Sequence, residues 1–180
     1  MDVEKLALPG LLLIKPKSFP DMRGFFRETF HQARYEQAGI PTTFVQDNLS
    51  FSKKGVIRGM HFQPGQAKLV SVALGLIYDV VVDIRPSSPY FGKWLGVTLD
   101  AEKGEQLFIP DGFAHGFCAL SDAILSYKVS SLYNSETEQA LHFDDPEIAI
   151  TWPVTNPIIS PRDLNAPLLK NIYETLDHRR

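Results

Sequence analysis

The chain has 180 residues, 44% of them hydrophobic and 22% charged, with a formal net charge of −3. That length suits a single domain over residues 1–180 with a proper core, and the mild acidity offers no general attraction to nucleic acid or to a membrane surface. One cysteine, Cys118, excludes an intrachain disulfide and a Cys-based zinc site.

The start, Met1-Asp-Val-Glu-Lys5, carries acids where a secretory signal would carry positive charge. No stretch reaches the length of an apolar membrane span, so a cytoplasmic location is expected. Short runs rich in Val, Ile and Phe then recur, cut by Gly, Pro, Asp and Ser. Leu11–Ile14 and Gly24–Phe30 read as strands, and His31–Ala38, stopped by Gly39-Ile-Pro41, reads as a short helix. Strands are next expected at Thr43–Phe51, Val56–Gln63, Leu69–Leu74, Leu76–Ile84 and Lys93–Leu99. The series ends with Gln106–Ile109, Phe113–Leu120 and Ala123–Ser130, and Pro161–Leu164 can make one helical turn. Cys118 lies in the apolar run Phe117–Leu120 and is read as a small buried hydrophobe. Many short strands with little helix between them indicate an all-β sandwich, a cupin-type jelly roll of two antiparallel sheets with a few short peripheral helices. Such a fold holds a cavity between its sheets.

The densest cluster of chemistry is Lys54-Gly-Val-Ile-Arg-Gly-Met-His-Phe-Gln63, followed by Lys68. On a regular strand Val56, Arg58, Met60 and Phe62 share one face, and Ile57, Gly59, His61 and Gln63 the other. Arg58 and His61 then point apart, unless a bulge at Gly59 re-aims one of them. A cupin metal site is one rival use of His61. Gln63 stands two residues on, where that fold commonly has a second histidine, and Lys68 puts a cation where a ligand would sit, which argues against a divalent ion. Pro110-Asp-Gly-Phe-Ala-His115 looks like the second half of a cupin signature, but one imidazole without partners is a poor metal site.

Tyr127 and Tyr133 fall on one face if Ser126–Tyr133 is a continuous strand. They are either a core pair, or a proton donor in a cavity beside an aromatic platform. Asp163, in Ile159-Ser-Pro-Arg-Asp-Leu164, caps a helical turn on the ordinary reading. If it folds back on the sheet, it can instead orient His61. Arg23 and Glu28 flank two aromatics near the start, and Gln46-Asp-Asn48 supplies amides able to read a nucleobase edge.

Several ordered motifs connect these pieces. They are Asp21-x-Arg-Gly-Phe-Phe26, Gln46-Asp-Asn48, Gly55-Val-Ile-Arg-Gly-Met-His-Phe-Gln63 and Gly65-Gln-Ala-Lys-Leu-Val70. Asp79–Arg85, Ser88–Gly92, Ile109-Pro-Asp-Gly-Phe-Ala-His-Gly-Phe117, Phe143-Asp-Asp-Pro146 and Ile159–Leu168 follow in order. Over nearly the whole chain this resembles the dTDP-4-dehydrorhamnose 3,5-epimerase family.

The resemblance implies a cofactor-free, cupin-fold homodimer with no metal, acting on dTDP-4-keto-6-deoxyglucose in deoxysugar biosynthesis. It assigns His61 as general base, Asp163 as its carboxylate partner, Tyr127 as proton donor on the opposite sugar face, and Lys68 to the C4 oxygen. It places Arg23, Glu28, Gln46, Asn48, Arg58, His115, Tyr133 and Glu138 on the nucleotide sugar or in its pocket. Arg162 stands where many members carry Lys, which keeps the charge and changes the geometry. The loop from His61 to Lys68 is shorter than in many bifunctional members. These residue types suit the reaction: a C4 ketone acidifies C3–H and C5–H, and inversion needs a base on one face, an acid on the other and a cation at the enolate oxygen. No Gly-x-Gly-x-x-Gly stretch is present, in keeping with a reaction that moves no electrons. Two other readings stay open: a mono-epimerase inverting C3 or C5 alone, and a non-catalytic sugar-binding jelly roll.

Overall fold

The computed structural model describes residues 1–40 and 43–177. In chain order the strands are β1 (Asp2–Lys5), β2 (Leu12–Lys15), β3 (Ser18–Asp21), β4 (Gly24–Arg27), β5 (Gln46–Ser52) and β6 (Ile57–Phe62). They continue as β7 (Lys68–Leu74), β8 (Leu76–Asp83), β9 (Trp94–Asp100), β10 (Gln106–Ile109), β11 (Phe113–Ala119), β12 (Ala123–Val129) and β13 (Gln139–Ala140). The helices are α1 (Gln32–Gln37), α2 (Pro161–Leu164) and α3 (Leu169–Asp177). None is long and apolar enough to cross a membrane.

Two antiparallel sheets, ordered β1-β2-β10-β7-β12-β5 and β13-β6-β11-β8-β9, form the jelly roll expected from the strand pattern. Period-two alternation sorts their side chains. Leu13, Val70, Leu107 and Leu125 of the first sheet meet Ile77, Val81, Leu99 and Phe117 of the second in the central core. Val80 and Val82 point outward, where Leu141, Ile148, Ile150 and α3 residues Leu169 and Ile172 cover them. On the far side of the first sheet, Leu12, Ile14, Leu69 and Phe108 are covered by Tyr35 of α1 and by Ile40. The outer face of edge strand β5 has no such cover: Leu49 and Phe51 are exposed, as is Leu74 of β7.

Differences from the sequence reading have local causes. β4 ends at Arg27 and does not run on to Phe30, because Phe30 turns to pack against Tyr35 and Phe44. That same packing keeps Thr43–Val45 out of β5. The expected stop of α1 includes Pro41, which lies outside the described residues; Gly39, at φ +90°, ends the helix. Unexpected are β1, with a single apolar side chain, β3 with its central proline, the two-residue β13, and α3. β3 and β4 form a separate hairpin. It is fixed by Arg27, which donates to Ser18 Oγ at 2.7 Å and to the Ala101 and Glu102 carbonyls at 3.1 and 2.7 Å.

β6 is not a regular strand. His115 pairs with His61 and Phe117 with Arg58, so two steps along β11 match three along β6. The extra residue is a bulge at Gly59–Met60, whose peptide is cis, with Gly59 at φ +128°. Met60 exchanges backbone hydrogen bonds with Leu141 at 3.1 and 2.8 Å while its side chain joins the outer core. Of the two arrangements open to Arg58 and His61, the strand takes the one with a bulge at Gly59, and the two residues do not face apart.

Candidate active site

A cavity of about 690 Å³ opens between the two sheets at the end where β5, β6, β7, β11 and β12 converge. Arg58 and His61 both line it, as a consequence of the bulge. Residues 158–163 close one side. They are laid along the start of β6 by hydrogen bonds from Ile57 N–H to the Ile158 carbonyl and from Ile158 N–H to the Gly55 carbonyl, at 3.0 and 2.9 Å.

Asp163 takes the second of its two readings, folding back on the sheet, while the cap of the helical turn belongs to Ser160. Ser160 is the N-cap of α2, its hydroxyl accepting the Asp163 N–H at 3.1 Å. The Asp163 carboxylate turns back to the sheet, where Oδ1 meets His61 Nε2 at 2.7 Å and Oδ2 accepts the Gly59 N–H at 3.3 Å. Asp163 is 2% exposed. Burial works against its charge, yet the His61 hydrogen bond and charge, the Gly59 N–H and the Ser160 contact prevail and hold its carboxyl below the usual range.

A second pair lies deeper. His115 Nε2 meets Asp79 Oδ2 at 2.8 Å, and both residues are buried. Burial pushes the Asp79 carboxyl up, against the opposing charges of His115 and Lys68, and Asp79 Oδ1 has no hydrogen-bond partner among the described residues. Lys68 is 7% exposed and lines the cavity. Burial lowers its ammonium to about 8, against the charges of Glu138, Asp111 and Asp79. Tyr127 enters from β12, in the sheet facing β6. Burial raises its phenol, helped by Glu138 and opposed by Arg58, so it stays protonated near neutrality.

The remaining candidates divide by place. Gln46 and Asn48 alternate inward along β5 and bond to each other at 2.8 Å. Arg58 crosses to β5, donating from Nε to Ser52 Oγ at 2.9 Å and from Nη2 to the Phe51 carbonyl at 3.0 Å. Glu138 and Arg162 join at the rim in a 2.6 Å ion pair. Tyr133 also lines the cavity, but not by strand parity: β12 stops at Val129 and a turn brings Tyr133 in. Arg23 and Glu28 are not brought to the cavity of their own chain. Arg23 pairs with Asp21 on the β3–β4 hairpin, and Glu28 pairs with Arg34. Among the described residues, no group of three or more His, Cys, Asp or Glu side chains could hold a metal ion.

The sequence pattern of the dTDP-4-dehydrorhamnose 3,5-epimerase family matches residues 5–171. The chain belongs to this family. It is 51% identical over 170 residues to the dTDP-4-dehydrorhamnose 3,5-epimerase of Shigella flexneri, covering 92% of this chain and 94% of that one. It is 52% identical over 168 residues to the Neisseria gonorrhoeae protein of the same name, covering 91% of this chain but 51% of that protein, so it spans about half of that relative's length. The crystal structure of dTDP-6-deoxy-D-glucose-3,5-epimerase from Legionella pneumophila, in complex with dTDP-4-keto-L-rhamnose, superposes with a TM-score of 0.93 at 47% identity. That match covers 97% of this chain and 96% of that chain.

Two residues that hold cavity-lining side chains did not stand out individually in the sequence. Asp79 is a carboxylate inside Leu76-Ile-Tyr-Asp-Val-Val-Val-Asp83, a run otherwise fit for a fully buried strand, and that mismatch was the available signal. Ser160 was visible only as part of a helix cap, and the cap is what aims Asp163.

Proposed function

We propose that the protein inverts C3 and C5 of dTDP-4-dehydro-6-deoxy-D-glucose to give dTDP-4-dehydro-L-rhamnose. The observation that carries this reading is the pairing at 2.7 Å of His61, on β6 of one sheet, with Asp163 of α2, while Tyr127 enters the same cavity from the other sheet. A cavity of about 690 Å³ suits a nucleotide sugar.

Neutral His61 donates its Nε2 hydrogen to Asp163, which leaves the Nδ1 lone pair as the base. This nitrogen takes the proton from the carbon beside the C4 ketone, and the C–H electron pair moves onto the C4 oxygen as an enolate. Asp163, ionised and buried, stabilises the imidazolium so formed. Lys68 faces the developing oxyanion, an interaction that strengthens toward the transition state. The enolate then collapses as the Tyr127 hydroxyl returns a proton from the opposite face, and the carbon is inverted. Solvent water then takes the proton from the His61 imidazolium and restores one to the Tyr127 phenolate, and with both groups reset the second carbon follows by the same cycle. Every electron pair returns to a C–H bond, so the chemistry calls for no redox cofactor. Arg58 and Arg162 suit the pyrophosphate, and Gln46, Asn48 and Tyr133 suit the base.

The reading includes a homodimer. The hairpin carrying Arg23 exposes Phe19, Phe25 and Phe26, and the uncovered face of β5 exposes Leu49 and Phe51. A second copy would cover both surfaces and would bring Arg23 and Glu28 to its neighbour's cavity. The test of the function is proton NMR of the product formed in deuterated water. Exchange and inversion at both C3 and C5 support it; exchange at one carbon means a mono-epimerase, and exchange at neither means a binding protein.

A further inference from the structure

Tyr133 is held by side-chain amides and not by a sheet. Gln63 donates from Nε2 to the Leu132 carbonyl at 2.9 Å and to Ser131 Oγ at 3.1 Å, and its Oε1 accepts the Asn134 N–H at 2.9 Å. Both donors and one acceptor position of an amide that is 6% exposed are thus spent on a single turn. Gln66 adds a bond to the Ser131 carbonyl at 3.0 Å, and Gln46 Oε1 accepts the Tyr133 N–H at 3.0 Å from the other side. Tyr133 is 55% exposed, and among the described residues its ring pairs with no other aromatic ring and its hydroxyl makes no hydrogen bond. Gln63 does not itself line the cavity. It follows His61 by two residues, just past the end of β6, so the segment that continues from the base grips the turn bearing the platform.

We propose that Gln63 is a positioning residue for ligand binding: it presents the Tyr133 ring to the nucleobase at a set distance from His61. This rests on the nucleotide-sugar reading of the cavity. Gln63→Leu keeps the volume but strips the turn of three hydrogen bonds and leaves the Asn134 N–H and Leu132 carbonyl without their partner. Freed, the turn must be ordered anew with each binding event, a cost that falls on affinity and not on proton transfer.

The experiment measures calorimetric binding of thymidine diphosphate alongside steady-state kinetics. The expected result for Gln63→Leu is a loss of about tenfold in affinity and a matching rise in KM, with kcat within about twofold. Gln63→Glu, which keeps the shape and the acceptor but loses the two N–H donors, is expected to fall between that variant and the parent, and serves if Gln63→Leu does not fold. In a Tyr133→Ala background either change should cost less than about twofold, since two residues acting as one unit are not additive. Unchanged affinity in both variants, or full additivity with Tyr133→Ala, overturns the proposal. If the parent protein itself fails to bind thymidine diphosphate, the functional reading falls first and this inference with it.

Discussion

Gly59 and Gly116 approach so closely that a Cβ placed on Gly59 would lie 2.5 Å from Gly116 Cα. That contact, with Gly59 at φ +128°, is what lets β6 bulge against β11 and aim His61 into the cavity beside Arg58. Gly59→Ala is expected to cost about 1–3 kcal/mol in backbone strain, or more with the clash, and to lower kcat by displacing the base. Chemical denaturation and kinetics check this together. A fully stable, fully active variant would show that the bulge does not set the base.

Asp163→Asn keeps the shape but removes the charge proposed to steady the imidazolium. A loss of about 10²–10⁴ in kcat is expected. The sign of the stability effect follows from the depressed carboxyl. Its contribution is present above the ordinary value of 3.8 and is lost as pH falls through the lower folded value. Acid denaturation should therefore separate the two proteins: the parent loses this contribution on acidification, whereas Asp163→Asn lacks it throughout.

Lys68 is expected to give the pH profile an alkaline limb. Its ammonium, lowered to about 8 by burial, is charged below that pH and neutral above it. Since kcat/KM reports the free enzyme, it should fall about tenfold per unit above pH 8. The limb should vanish in Lys68→Met, at a much lower plateau. The same shift makes folding stability rise with pH between about 8 and 10.5, where the unfolded chain binds the proton and the folded one does not.

Tyr127→Phe removes the proposed donor and leaves the base. Deuterium should still wash into C5 from solvent while inversion there is lost. Loss of both signals would move Tyr127 from proton transfer to binding.

The proposed homodimer admits a mixing test. An Arg23→Ala subunit keeps its own base, and a His61→Ala subunit keeps its own hairpin. If the hairpin serves the neighbouring cavity, co-refolding the two weak variants should restore about one good site per mixed dimer. No recovery in confirmed mixed dimers would place Arg23 outside the partner's site.

How far the sequence reached can be judged from these same residues. β8 and β11 were legible because Val, Ile and Phe run between clear turn residues, and a buried strand needs nothing more. β1, with only Val3 apolar, carried no periodic signal. The spacing of Leu169, Ile172 and Leu176 did mark α3, and it was passed over beside Pro167. Within the site, His61 and Lys68 were marked by residue type, since burying a cation on a strand is costly without a task. The relation of Arg58 to His61 was left open, because Gly59 marks where a bulge can form, but strand parity alone does not say whether it does. Tyr133 reached the cavity for a reason other than the expected one, by way of a turn that three glutamines hold.

The central claim is that His61, oriented by Asp163, removes the protons beside the ketone. The most direct measurement is solvent deuterium incorporation into the ketosugar by His61→Ala, with circular dichroism confirming an intact fold. The account predicts no incorporation at C3 or at C5. Exchange at either carbon at the parent's rate would contradict it.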